Sequence, residues 1–137
     1  MTKIVIITHG YLAEGLKESL EFILGKQQNL MAIPAYTKKY PEIKSVLDEI
    51  ITKGDDVLFA TDVFGGSVNN EIMARLKNNP QIRLVCGVNL PFLIQLFNSL
   101  LSVGLDPAIG EAMKAAKNGI KNCRDLSRSK GESFDSF

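Results

Sequence analysis

The chain contains a single histidine, His9, standing where an apolar run stops: Lys3 to Thr8 reads KIVIIT, followed by His9 and Gly10. A neutral imidazole with a free ring-nitrogen lone pair is a competent nucleophile toward phosphorus. That chemistry needs two further parts. A carboxylate must accept the hydrogen of the other ring nitrogen, fixing the tautomer and steadying the positive charge that develops on the ring. A set of donors must hold the phosphoryl oxygens. Asp62 follows a second apolar run, Asp56 to Thr61 (DVLFAT), and precedes Val63-Phe64-Gly65-Gly66-Ser67. Gly65, Gly66 and Ser67 open a helix, so small residues expose backbone N–H groups where the helix dipole is positive. Such a turn is a ready site for phosphate or another anion. Ser67 is also a good N-cap residue, a role that commits its hydroxyl to the backbone.

Ser67, His9 and Asp62 are equally the residue types of a hydrolytic triad. Against that reading, Gly-Gly-Ser-Val-Asn is not the G-x-S-x-G nucleophile elbow, and a capping serine is not free to attack. A third reading is a noncatalytic small-anion sensor. A phosphorylated carrier protein separates the three, because only a transfer protein becomes covalently labelled on nitrogen. The chain offers no Walker lysine, metal-ligand cluster or nucleotide fingerprint, so it calls for no cofactor and no metal. The phosphoryl group must then arrive already activated from another protein.

These residues have to be brought together by the elements around them. KIVIIT is a β-branched run of the kind found in strands buried on both faces. From Tyr11 to Leu24 the apolar residues Leu12, Leu16, Leu20, Ile23 and Leu24 recur at helical spacing, and Gly25 ends the helix. A weaker strand is predicted over Leu30 to Ala35, and an amphipathic helix marked by Ile43, Val46, Leu47, Ile50 and Ile51 ends near Gly54. The third strand is DVLFAT, the third helix runs from about Ser67 to Lys77, and the fourth strand is Ile82 to Cys86. GVNLP leads into an apolar helix ending near Val103, and a fifth helix spans Pro107 to Asn118. Strand and helix alternate four times, which implies an α/β fold: an open parallel sheet with right-handed crossovers and helices on both faces. In the order 2-1-3-4, strands one and three are neighbours. His9 and Asp62 then meet at the switch point beyond the carboxyl ends of the strands, where ligands bind, and Asn89 after strand four lines the same crevice.

The bulk composition excludes several classes. With 45% hydrophobic and 23% charged residues in 137, the balance is that of a soluble globular domain. A net charge of +1 makes no electrostatic case for nucleic acid or an anionic membrane. Met1 leads into a strand with no basic-then-apolar leader, so no signal peptide is expected. Leu90 to Leu101 is too short and too polar, with Gln95, Asn98 and Ser99, to span a bilayer. Cys86 and Cys123 form no CxxC pair and read as cytosolic thiols. The expectation is one domain over residues 1–126 and a flexible serine-rich tail over 127–137.

Two surface features point to partners. Val63 and Phe64 stand in the loop before the glycines and Tyr11 begins the first helix, an apolar rim around His9 that a partner would cover. Phe92, Leu93, Ile94, Leu96, Phe97, Leu100 and Leu101 give the fourth helix more apolar faces than one sheet contact can cover. Ile120 to Leu126 follows the turn at Gly119 and is expected as an antiparallel edge strand, paired either with its own sheet or, by exchange in a homodimer, with a partner's.

"IVIITHGYLAEGL", "VLFATDVFGGSVNNEI" and "VCGVNLPFLIQL" together resemble the IIA component of the mannose family of the bacterial phosphoenolpyruvate-dependent sugar phosphotransferase system. The resemblance covers roughly residues 3 to 126 and all three motifs in order. It implies that His9 accepts a phosphoryl group on Nε2 from the phosphocarrier HPr and donates it to a IIB component. It implies further that Asp62 holds the other nitrogen, that Ser67 binds the phosphoryl group, and that the protein is a cytoplasmic dimer, membrane-associated only through the transporter. The chain departs from many relatives in having Val68 where they have proline, and in its AYTKKYPE loop. A second family of similar pattern is the phosphoryl-donor subunit of dihydroxyacetone kinase; the GVNLP stretch favours the sugar-transport reading.

Overall fold

The computed structural model describes residues 2–126, so the expected tail over 127–137 lies outside the described residues. The chain divides into two compact units, Met1–Leu90 and Pro91–Phe137.

The first unit alternates β1 (Lys3–His9), α1 (Leu12–Leu24), β2 (Leu30–Ala35), α2 (Lys44–Thr52), β3 (Val57–Thr61), α3 (Ser67–Leu76) and β4 (Ile82–Cys86). The four strands form one parallel sheet in the order β2-β1-β3-β4. Every pairing is parallel, and Ile7 stands opposite Ile33 on one side and Thr61 on the other. The two central strands, β1 and β3, are the most deeply buried. β3 is buried along its whole length and β1 from Ile4 to Thr8, as a strand covered on both faces requires. On one face Val5, Ile7, Ile33, Val57, Phe59 and Ile82 pack with Leu47 and Ile50 of α2 and Val68 and Ile72 of α3. Each such fully buried aliphatic or aromatic side chain contributes about 1.5–3 kcal/mol of transfer free energy. α1 packs on β1 and β2 and buries Ala13 and Leu20. Its predicted apolar stripe is wider than that seam: Leu12 is 50% exposed and Ile23 39%.

The second unit holds α4 (Leu90–Val103, starting on the last residue of the first unit), α5 (Leu105–Asn118) and the short α6 (Cys123–Leu126). Gly104, at φ +84°, is the single residue between α4 and α5, a backbone geometry glycine adopts without a side-chain clash. α5 begins two residues earlier than Pro107 suggests, because proline is accommodated in the first turn of a helix. Gly119 ends α5 against Pro91: a Cβ at this position would lie 2.7 Å from the proline Cγ.

The expected edge strand over Ile120 to Leu126 is not formed in the single chain. Cys123–Leu126 is helical instead, and local bonds account for it. The Asn122 carbonyl accepts the N–H groups of Asp125 and Leu126, while its side-chain oxygen accepts that of Arg124 at 3.1 Å. Asparagine stabilises such a turn through its own side chain, and the sheet has four strands among the described residues.

Candidate functional site

The site is built at the carboxyl ends of β1 and β3, which the sheet order places side by side. His9 is the last residue of β1 rather than the first of the loop: it pairs with Ala35, and the Gly10 N–H donates to the Ala35 carbonyl at 3.0 Å. The imidazole is therefore anchored by a sheet backbone. On its other side the ladder pairs residues 54 apart and its N–H groups reach oxygens 53 residues on, the Lys3 N–H reaching the Asp56 carbonyl at 2.8 Å. Continued to the end of the strand, that offset brings the His9 N–H to residue 62. There the Asp62 side chain accepts it, at 2.9 Å.

The same carboxylate oxygen, Oδ2, lies 2.9 Å from His9 Nδ1, and Oδ1 accepts the Val63 N–H at 3.0 Å. An ionised carboxylate only accepts, so Nδ1 carries the hydrogen, and in the neutral ring Nε2 is the bare nitrogen. Partial burial pushes the Asp62 carboxyl up, but the His9 amide, the His9 ring and the Val63 amide together outweigh it and hold the group below the usual aspartate range. Asp62 is thus fully ionised at neutral pH. Its side chain is 14% exposed and that of His9 44%, so the anchor is shielded while the ring is open to a partner.

Nε2 lies 3.5 Å from Ser67 Oγ. The sequence leaves that hydroxyl two roles, binding a phosphoryl group or capping α3, and the structure removes the second. Gly66 is the N-cap, with φ −76° and ψ 172°, and no side chain caps α3. Ser67 is the first helical residue, and its hydroxyl points at the imidazole. One of the two arguments against a triad falls with this; the missing elbow sequence remains. Gly66 has a second role. A Cβ there would come 3.1 Å from His9 Cε1, so a side chain would crowd the ring. Gly65, at φ +79°, supplies the left-handed turn into the helix.

The structure thus gathers His9, Asp62, Gly66 and Ser67, residues separated by up to 58 positions. Around them Val63, Phe64 and Tyr11 are exposed, Phe64 at 79%. Asn89 stands one residue beyond Val88, whose N–H is tied to the Thr61 carbonyl at 2.9 Å in the same row of strand ends.

Sequence reasoning missed three supporting residues. Thr8 is fully buried, and its hydroxyl accepts the Ala13 N–H at 2.7 Å; it replaces the side-chain cap that Tyr11, the N-cap of α1, does not provide. Asn69 pins the first turn of α3 to β3, its Oδ1 accepting from the buried Thr61 hydroxyl at 3.2 Å. A buried asparagine in a first helical turn is the one signal that was available. Tyr36, at the end of β2, has its ring centroid 5.8 Å from that of His9. A cavity of about 590 Å³ lies elsewhere, between β2 and α2, and none of its lining residues belongs to this constellation. Among the described residues no helix is long and apolar enough to cross a membrane.

Residues 3–117 match the family model described as the phosphotransferase system (PTS) fructose IIA component. The chain is similar to the fructose-specific EIIA component of Bacillus subtilis, 25% identical over 91% of this chain and 88% of that protein. It is 32% identical to the mannose-specific EIIAB component of Escherichia coli over 86% of its own length, but spans only 38% of that longer protein. Among solved structures, a putative phosphoenolpyruvate-dependent sugar PTS permease from Klebsiella pneumoniae superposes with a TM-score of 0.83 at 32% identity, covering 92% of this chain and 93% of that one.

Proposed function

The chain belongs to the mannose-type family of phosphotransferase-system IIA components, phosphotransferase components of sugar uptake, and we propose that His9 is its phosphoryl carrier, loaded by phosphorylated HPr and discharged to a IIB component. The observation that carries this is the bond from His9 Nδ1 to Asp62, which leaves Nε2 bare and facing Ser67 and the start of α3. In the forward step the Nε2 lone pair attacks phosphorus. The P–N bond to the donor breaks, and the donor ring keeps its electron pair. Asp62 retains the Nδ1 hydrogen bond and offsets the positive charge on the phosphorylated ring. The Ser67 hydroxyl and the backbone N–H groups of the first turn of α3, with Gly65 and Gly66 shaping their approach, hold the phosphoryl oxygens. In discharge a nucleophile of the IIB component attacks phosphorus, the Nε2–P bond breaks, and Nε2 keeps the electron pair.

Tyr11, Val63 and Phe64 form the docking rim: apolar side chains left in water beside a reactive ring are the centre of a transient protein interface. The protein works in the cytoplasm as a homodimer; Leu101, 99% exposed, and Ile120 are apolar residues of the second unit for a second copy to cover. The sugar-specific names of its relatives disfavour the dihydroxyacetone kinase role.

The Ser67–His9–Asp62 line supports one competing outcome, nucleophilic attack by Ser67. A single experiment separates the two. Incubation with enzyme I, HPr and labelled phosphoenolpyruvate gives an acid-labile, base-stable adduct that His9→Ala does not form. An acid-stable adduct, or full labelling of the variant, refutes the phosphohistidine assignment.

A further inference from the structure

Tyr36 is the one non-glycine residue in the left-handed region among the described residues, at φ +61°. That region is uncommon for bulky L side chains, whereas glycine enters it freely. Elsewhere this chain meets the same demand with glycine, at Gly10, Gly25, Gly54, Gly65, Gly87 and Gly104. A side chain retained at such a position, beside a reactive group, calls for a reason. Core packing does not supply it, because Tyr36 is 45% exposed.

The neighbours show how the conformation is held. The Tyr36 N–H donates to the Tyr40 carbonyl at 2.8 Å, and the Thr37 hydroxyl donates to the Pro34 carbonyl at 2.7 Å. These bonds close the loop after β2. Because Ala35 pairs with His9, residue 36 falls beside the imidazole. The two rings are 5.8 Å apart between centroids and tilted by 44°.

We propose that Tyr36 is a positioning residue for His9: its ring forms a wall beside the imidazole that attracts the cationic phosphorylated ring and so lengthens the life of the P–N bond. The inference rests on the phosphocarrier reading. With Nδ1–H held by Asp62 and phosphorus on Nε2, the ring carries a positive charge, and an aromatic face within about 6 Å of a cation attracts it. Hydrolysis needs a water oxygen in line with the P–N bond. The bond then breaks, the ring keeps the electron pair, and the water loses a proton to solvent. Hydrolysis discharges the cationic ring, so the attraction by Tyr36 is lost along the way and the barrier rises, while the rim stays open to a partner.

The test uses the full chain, labelled through enzyme I and HPr and then freed of both, as wild type, Tyr36→Ala, Tyr36→Gly and Tyr36→Phe. The readout is the lifetime of the label, with thermal melts alongside. Loss of the ring is expected to shorten the lifetime by about three- to fivefold, the size of an exposed cation–π contact. Tyr36→Phe keeps the wall and is expected to match wild type within about twofold. Tyr36→Gly also removes the φ strain, so a shorter lifetime without a lower melting temperature separates the wall from folding. Lifetimes of Tyr36→Ala and Tyr36→Gly equal to wild type overturn the inference alone. A Tyr36→Phe lifetime as short as that of Tyr36→Ala overturns it too, since the hydroxyl would then be responsible. A wild-type chain that takes no label removes the phosphocarrier reading and this inference with it.

Discussion

The two ends of the sheet carry similar residue types put to different use. At the amino end Lys3 Nζ pairs with Asp55 at 3.1 Å and Arg83 with Asp56 at 3.3 Å, all four side chains 29–58% exposed. At the carboxyl end one carboxylate gathers three N–H groups: the His9 amide, the His9 ring and the Val63 amide. Long flexible side chains in water make pairs worth little, because solvent screens them and their freedom must be given up. Asp62 is short, two of its three donors are fixed backbone, and it is shielded. The difference lies in how few degrees of freedom remain for the partner to lose.

That contrast orders the expected effects of substitution. Asp62→Asn should be the most damaging change outside His9. An amide can place its NH₂ against Nδ1 and select the tautomer that blocks Nε2. Phosphoryl transfer measured with labelled HPr should fall about 100-fold, the upper range for groups that orient a reactive histidine, with the circular dichroism spectrum unchanged. An unchanged rate would reduce Asp62 to a loop residue.

Ser67→Ala removes one hydrogen bond to a charged oxygen. At 3.5 Å from Nε2 the hydroxyl is not drawn tightly to the bare ring, so the low end of the range, about 1.5 kcal/mol or roughly tenfold in transfer, is expected. A loss as large as that for Asp62→Asn would make the serine a full partner in the chemistry. Gly66→Ala keeps an allowed backbone but brings a methyl to 3.1 Å from His9 Cε1. The ring must yield by a few tenths of an ångström, which should slow transfer a few-fold, since misplacement by about 1 Å costs about 10²-fold. The melting temperature should hold, because the half-exposed ring has room to move. At the far end, Asp56→Ala should leave transfer unchanged and alter stability by less than about 0.5 kcal/mol in denaturant titration. A substantial loss there would show that the amino end is not the passive surface it is taken to be.

Much of this was legible before any coordinates. The buried strands read as unbroken apolar runs and the helices as amphipathic periods, because both are set by neighbours a few residues away. Alternation of the two, with the 2-1-3-4 order, was enough to bring His9 against Asp62. The failures have local causes. The capping role that serine at Ser67 also suggested is taken by Gly66, which releases the hydroxyl. Ile120 to Leu126 reads as a strand by composition, yet in a single chain Asn122 satisfies the following amides and a helical turn results.

By itself the sequence determined the element order, the parallel sheet and the types of residue at its carboxyl edge, since periodicity and turn chemistry act over short stretches of chain. Tertiary structure supplied the physical reason that Nε2, the nitrogen the resemblance implied, is the bare one in the neutral ring. That depends on the β1–β3 register, in which residues 54 apart pair and the His9 N–H at the end of the ladder meets a side chain 53 residues on. It also decided that Tyr36 stands beside the imidazole, since only the pairing of β1 with β2 brings residues 9 and 36 together. Distances across strands are summed over whole elements, and no local pattern encodes that sum.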